Sequence, residues 1–150
     1  MEETLEQKKR RLFGKQYLTK YIDVVKKITT QQENNEIRLL SITETDKLIV
    51  KENTLKLIFS TKILFNNKLD LKKIILEKVN TNDKIYLFTS LSQHCGAVVL
   101  ESITEFNFNF NFGDDPSGII SLLSFKVDKK ILLDFYEEEG IKYIEIEYYH

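Results

Sequence analysis

Aromatic and amide side chains alternate through Glu105–Phe112 with the clearest two-residue period in the chain. Phe holds every even position there, and Asn holds three of the odd ones. Successive side chains leave a strand on opposite sides, so this pattern predicts a β-strand with four rings on one face. Three further β-prone runs follow between turn-forming residues, at 118–127, 130–136 and 141–149. Together these runs predict a four-stranded antiparallel meander within 105–149.

A helical period marks the N-terminal region, residues 1–33. Its apolar residues recur at three- and four-residue spacing: Leu18, Tyr21, Ile22, Val25 and Ile28. This stripe predicts an amphipathic helix that lies across the apolar face of the sheet. A similar spacing predicts a second, short helix near 69–79, with Leu71, Ile74, Ile75 and Val79 on one side.

Short β-prone runs lie between and after these helices. They are 36–42, 47–50, a strand pair within 54–65, 84–89 and 97–100. The order of elements predicts an α+β fold. We expect a mainly antiparallel sheet whose C-terminal meander is packed by the N-terminal helix and the second short helix. The 150 residues are expected to form one domain, with a sheet-rich body at 36–150.

Charge is distributed unevenly along the chain, although the net charge is only −1. Residues 1–30 carry eight Lys and Arg against four acids, a balance of +4, whereas residues 101–150 carry four Lys against eleven acids, a balance of −7. The predicted meander therefore lies in the most acidic part of the chain. Such asymmetry concerns binding partners and not the fold.

The predicted strands separate an apolar face from an acidic, tyrosine-bearing one. In the last strand Ile144 and Ile146 are expected to face inward, and Glu145 and Glu147 outward. An outer face of this kind is typical of any solvated antiparallel sheet, but it also suits docking of a basic protein. The candidate partner-binding residues are Asp134, Glu137, Glu138, Glu145, Glu147 and Tyr149, with Asp114 and Asp115 on a neighbouring turn.

No catalytic or cofactor-binding motif occurs in the sequence. His94 and Cys95 are adjacent, and adjacent side chains rarely form a nucleophile–base pair. Two His and one Cys are too few for an ordinary zinc site, and no phosphate-binding glycine motif is present. We therefore expect a non-enzymatic protein without metal or cofactor. A small enzyme using His94 and Cys95 is the remaining catalytic alternative.

The basic run Lys8–Arg11 is the strongest indication of a different function. Four successive cations favour contact with nucleic-acid phosphates, but acidic residues flank the run and no aromatic array accompanies it. A nucleic-acid-associated module acting through the N-terminal helix is therefore the alternative hypothesis. The single Cys and the lack of a long apolar run lead us to expect a soluble, cytoplasmic protein, a monomer or homodimer that does not enter membranes.

The C-terminal third resembles bacterial immunity proteins paired with polymorphic toxins, including those of contact-dependent growth inhibition. The resemblance lies in the segments 118–124, 132–140 and 144–147, where acidic turns of the LDFYEE type connect the strands of a small meander. The resemblance implies a cytoplasmic protein that binds one cognate toxin, often a nuclease, and blocks it. It assigns no individual residue a role.

Overall fold

The computed structural model describes residues 2–150 as a seven-stranded antiparallel sheet flanked by helices. The helices are α1 (Leu5–Gly14), α2 (Leu18–Ile28), α3 (Ile42–Glu52), α4 (Lys68–Lys78) and the short α5 (Ser92–Cys95). The strands are β1 (Arg38–Leu39), β2 (Leu57–Leu64), β3 (Ile85–Phe88), β4 (Val98–Leu100), β5 (Ile119–Ser124), β6 (Lys130–Glu138) and β7 (Ile141–Tyr149). Their spatial order is β1-β4-β3-β5-β6-β7-β2. The α+β prediction with a mainly antiparallel sheet is confirmed.

The inner face of the sheet carries the main hydrophobic core. Tyr21, Val25 and Ile28 of α2 are fully buried in it, which confirms that this helix packs its apolar side against the sheet. α4 contributes Leu71 and Ile75 to the same core. The predicted single N-terminal helix is divided, because α1 ends at Gly14 and a 3-10 turn at Lys15–Tyr17 leads into α2.

The alternating Phe/Asn segment is not a strand, so that prediction is wrong. Only Phe106 makes an isolated bridge, to Thr29, and the residues up to Gly118 form turns. Local side-chain bonds explain this, since Asn107 Oδ1 accepts a hydrogen bond from the Asn109 N–H at 3.0 Å and Asp114 Oδ2 accepts one from the Asn111 N–H at 2.8 Å. Short polar side chains that bond to nearby backbone compete with a sheet ladder. The rings still turn inward, with Phe106 and Phe110 each 1% exposed.

Two of the smaller strand predictions are also wrong. Residues 47–50 belong to α3, which begins with a capping box between Ser41 and Glu44. Residues 54–65 contain one strand, β2, where a pair was predicted. β2 lies beside β7 at the edge of the sheet, and so the four-strand group at this end is β5-β6-β7-β2.

The outer face is covered over only half of its width. α3 packs Leu48 against Phe88, Ala97 and Leu123 in a second, smaller core. This cover explains why β5 is apolar on both faces, because Leu123 faces α3 while Ile120 and Leu122 face the main core. The outer sides of β6, β7 and β2 lie beyond this second core.

Candidate protein-binding face

The open half of the outer surface is formed by alternate residues of β6 and β7. We call it the acidic face, and it consists of Asp134, Tyr136, Glu138, Tyr143, Glu145, Glu147 and Tyr149. In β7 the side chains alternate regularly: Ile144 and Ile146 are fully buried, whereas Glu145 and Glu147, which follow them, are partly exposed. Both glutamates therefore lie on the same side of the sheet, as the sequence pattern predicts.

Three carboxylates lie close together at the centre of this face. Asp134 is directly opposite Glu145 in the β6–β7 register, and Glu147 lies two positions further along β7. Like charges placed opposite each other across a sheet are destabilising. Within residues 2–150, no Lys or Arg forms a salt bridge with any of these three side chains.

Tyrosine hydroxyls hold the two glutamates in place. The Tyr136 hydroxyl donates to Glu145 Oε1 at 2.7 Å, and the Tyr149 hydroxyl donates to Glu147 Oε1 at 3.1 Å. The bond to Glu145 raises the pKa of Tyr136, and burial followed by the bond to Glu147 raises the pKa of Tyr149. Both phenols consequently remain neutral donors near pH 7.

Asp134 has no such donor, and its electrostatic environment is unfavourable. Partial burial, followed by repulsion from Glu145 and Glu147, raises the pKa of Asp134 above its ordinary value. The charged form of Asp134 is thus disfavoured in the folded protein. A cation brought by a partner would relieve this repulsion.

Two lysines border the acidic face and were missed at the sequence level. The Nζ atom of Lys62 in β2 lies 4.1 Å from the centre of the Tyr143 ring and 3.7 Å from Glu138 Oε2. Lys130 lies 3.7 Å from Glu52 of α3 and 4.8 Å from the ring of Tyr149. Both positions depend on long-range packing, of β2 beside β7 and of α3 beside β6, and no local sequence pattern indicated either contact.

Three of the residues predicted to bind a partner lie away from this face. Asp115 is only 3% exposed, accepts hydrogen bonds from Ser117 and is therefore withdrawn from any surface. Asp114 caps the Asn111 N–H in the Phe/Asn loop on the inner side of the sheet. Glu137 alternates with Tyr136 and Glu138 and so points to the opposite face. Asp134, Glu138, Glu145, Glu147 and Tyr149 do share one face.

The basic run Lys8–Arg11 is partly neutralised within the protein. Arg10 forms salt bridges with Glu6 and Asp46 and donates to the Gln93 carbonyl at 2.8 Å. Arg11 pairs with Glu3 at 2.9 Å. Two of the four cations are therefore engaged within the protein, and of these only Arg10 ties α1 to α3 and α5. Lys8 and Lys9 are the exposed pair of the run.

His94 and Cys95 lie in a groove between α1 and α5 but do not resemble an activated dyad. The Cys95 thiol donates weakly to the Gly14 carbonyl at 3.5 Å, and burial raises its pKa. A reactive cysteine requires the opposite shift. His94 packs its ring 5.4 Å from that of Phe13, an arrangement that anchors α1.

The described residues contain neither a metal-binding group nor a helix that could cross a membrane. Over residues 2–150, no three His, Cys, Asp or Glu side chains are grouped in a way that could hold a metal ion. None of the helices in this described part of the chain has the length and apolar character needed to cross a membrane.

Comparisons with known proteins gave no match. No protein-family model, no curated protein and no solved structure is significantly similar to this chain.

Proposed function

We propose that this protein is a non-enzymatic, cytoplasmic immunity protein that binds a cognate toxin with a basic surface through its acidic face. The observation that carries the proposal is the group Asp134, Glu145 and Glu147, three carboxylates that face solvent together without a salt bridge in the described chain. The resemblance of the C-terminal third to toxin-immunity proteins points to the same class of partner.

The energetics of this group favour a role in binding. Opposed like charges cost a sheet about 0.2–1 kcal/mol per pair, and no ion pair within the described chain offsets this cost for Asp134, Glu145 and Glu147. Lys or Arg side chains of a partner would pair with them and relieve the repulsion. Complementary charges also speed encounter and exclude partners of the wrong sign.

The tyrosines give the acidic face a rigid contact area. Tyr136 and Tyr149 are fixed by their hydrogen bonds to Glu145 and Glu147, and so little side-chain entropy is lost when a partner binds. Tyrosine is enriched among residues that dominate binding energy. A nuclease is the toxin class that fits best, because the cleft that holds phosphates is positively charged.

The test takes as probe the product of the gene immediately upstream, which the proposal requires to be a toxin, with growth protection and binding affinity as readouts. Glu147→Lys is expected to abolish protection and to weaken binding by at least tenfold, with a smaller dependence of association on salt. Glu137→Lys is the matched control, since it makes the same charge change on the opposite face and should leave binding intact. Equal effects of the two variants, or a tight complex with Glu147→Lys, would rule out the acidic face.

The alternative, a nucleic-acid-associated module, depends on Lys8 and Lys9 because Arg10 and Arg11 are engaged in ion pairs. An electrophoretic shift assay at low salt separates the two functions. Under the toxin-binding proposal, wild type and a Lys8→Gln, Lys9→Gln double variant both leave DNA and RNA unshifted. A shift with wild type that the double variant loses would favour the alternative.

A further inference from the structure

β2 is the long edge strand of the sheet, and its outer edge carries unpaired backbone groups. It pairs with β7 on one side and is the last strand in the spatial order. Phe65 N–H bonds to the Lys142 carbonyl at 2.9 Å. Hydrogen-bonded and non-bonded residue pairs alternate along antiparallel strands. The backbone N–H and C=O groups of Ile63 and Thr61, two and four residues before Phe65, are therefore also directed toward β7.

By the same alternation, the backbone groups of the residues in between are directed away from β7. The backbone N–H and C=O groups of Ser60, Lys62 and Leu64 point to the open edge, where no other strand of the described chain pairs with them. Apolar side chains are exposed along the same strand, since Ile58 is 62% and Leu64 is 55% exposed. A long exposed edge with apolar side chains is a template for another strand.

We propose that a second copy of this chain occupies this edge, with the two β2 strands antiparallel across a two-fold axis at Thr61. In this register Ser60 of each copy pairs with Lys62 of the other, so that the outward backbone groups of both residues are satisfied reciprocally. Leu64 of each copy comes to lie near Ile58 of the other. The two seven-stranded sheets become one continuous sheet.

Charge complementarity favours this register. An edge lysine ordinarily opposes strand pairing, but here Lys62 of the second copy lies next to Ser60, whose other neighbour is Glu147. Ser60 is small, so the long Lys62 side chain can reach across it to the unpaired Glu147 carboxylate. Lys62 would leave its exposed contacts with Glu138 and with the Tyr143 ring for a pair with Glu147. Each of the contacts it leaves contributes little at an exposed site.

A register shifted to place Lys62 opposite Lys62 would instead bring like charges together. A register centred on Ser60 would place Lys62 opposite Ile58, at the irregular point where the β2–β7 register shifts. The Thr61-centred register avoids both conflicts.

The symmetry has a consequence for the acidic face. A two-fold axis between antiparallel neighbours stands perpendicular to the sheet, and the same face of each copy therefore lies on the same side. The dimer would present two acidic faces side by side. The inference does not depend on the proposed toxin partner, although the Lys62 contact across the edge would use Glu147 of the acidic face.

The first test is sedimentation of the full chain up to about 1 mM, a range that detects weak association. We expect a concentration-dependent dimer for wild type and a folded monomer for Ser60→Pro. Proline removes only the outward N–H of Ser60 and is tolerated on an edge strand. A wild-type chain that stays monomeric throughout, or a folded Ser60→Pro variant that dimerises equally well, would overturn the inference.

The second test decides the register and does not require proline to be tolerated. Thr61→Cys places two thiols in a non-bonded antiparallel pair, where the Cα atoms are about 4.5 Å apart and a disulfide is allowed. Ile63→Cys is the matched control, because Ile63 would lie opposite Phe59 of the other copy. Under mild oxidation we expect a covalent dimer of Thr61→Cys alone, with wild type reporting any cross-linking by Cys95. Equal cross-linking of the two variants, or none with Thr61→Cys, would overturn the inference.

Discussion

Asp134 and Glu145 lie directly opposite each other on neighbouring strands of the acidic face. Neither carboxylate has a cationic partner among the ion pairs of residues 2–150. Their repulsion, with that from Glu147, contributes to the raised pKa of Asp134. The proposed binding role of the acidic face and the stability of the fold therefore make opposite demands on these residues.

Asp134→Asn is expected to raise the free energy of unfolding at pH 7 by about 0.2–1 kcal/mol, because it removes one of two opposed charges. The folded pKa of Asp134 is raised, so its proton stabilises the fold at low pH and that stability is lost as pH rises through the folded pKa. The advantage of Asn should thus shrink as pH falls below about 4. Urea denaturation at several pH values measures this difference in the free energy of unfolding between the variant and wild type.

Asp128→Asn is the control with the opposite sign. The Ser124 hydroxyl lowers the pKa of Asp128, so this carboxylate stabilises the fold at neutral pH and loses the effect as pH falls through its folded pKa. Its replacement should lower stability at pH 7. If both variants shifted stability in the same direction, the electrostatic account of the acidic face would be wrong.

Arg10→Gln is expected to lower the free energy of unfolding by about 1 kcal/mol. Arg10 joins α1 to Asp46 of α3 and to the Gln93 carbonyl of α5, whereas the pair Arg11–Glu3 lies wholly at the exposed N-terminal end. Arg11→Gln should therefore change little. Thermal unfolding of the two variants, together with hydrogen exchange in α1, checks this difference.

Gly96→Ala is expected to destabilise the protein by about 3 kcal/mol or more. Gly96 has φ = +94°, and a Cβ there would lie 2.0 Å from the Leu40 carbonyl oxygen. Gly113→Ala is the matched control, because a Cβ at Gly113 meets no atom within 4 Å. Denaturant midpoints of the two variants should differ widely; similar midpoints would contradict the close approach of the backbones.

The Phe/Asn loop makes separate predictions for its rings and its amides. Phe110→Ala should cost about 3–5 kcal/mol, because this ring is fully buried against Phe65 and Phe135. Asn107→Ala should cost about 1 kcal/mol through its lost backbone bonds, and the exposed Asn109 should tolerate alanine. A strand would show no such difference between the two asparagines, and equilibrium unfolding distinguishes the cases.

Lys68 should make stability depend on alkaline pH. Its ammonium donates to the Phe110 carbonyl at 2.8 Å and lies 3.4 Å from the centre of the Phe65 ring. Burial lowers the pKa of Lys68 from 10.5 to about 8. The unfolded chain therefore binds more protons between these values, and wild-type stability should rise with pH across that window relative to Lys68→Met. A constant difference from pH 7 to 10.5 would contradict the shift.

The elements that sequence patterns predicted correctly are those whose local pattern agrees with their packing. In β6 and β7 buried and exposed residues alternate, as in Ile144 and Glu145, and in α2 the buried residues recur at helical spacing. α4 was predicted almost to its ends, and the Asn67 cap explains its start.

The failures have identifiable physical causes. The Phe/Asn period satisfies a strand pattern, but the Asn107 and Asp114 side chains accept hydrogen bonds from the Asn109 and Asn111 N–H groups, which favours turns over a sheet ladder. Residues 47–50 were predicted as a strand from their short apolar run, but the capping box of Ser41 and Glu44 starts a helix that includes them. On the acidic face, the two-residue period of β7 correctly predicted that Glu145 and Glu147 share one side of the sheet. Lys62 lies beside this face because β2 pairs with β7, a long-range pairing that no local pattern specifies.

α3 covers only half of the outer face of the sheet. Side chains beneath α3 must keep their size and shape, whereas those on the uncovered half are less constrained. Under α3, Leu123 and its neighbours are packed on both sides. On the open half, the outward side chains of β7, such as Glu145 and Glu147, lie outside the main core that Ile144 and Ile146 help to form. Outward positions on this half can therefore vary at a cost of about 1 kcal/mol or less each, whereas a change beneath α3 disturbs packing on both sides of the sheet.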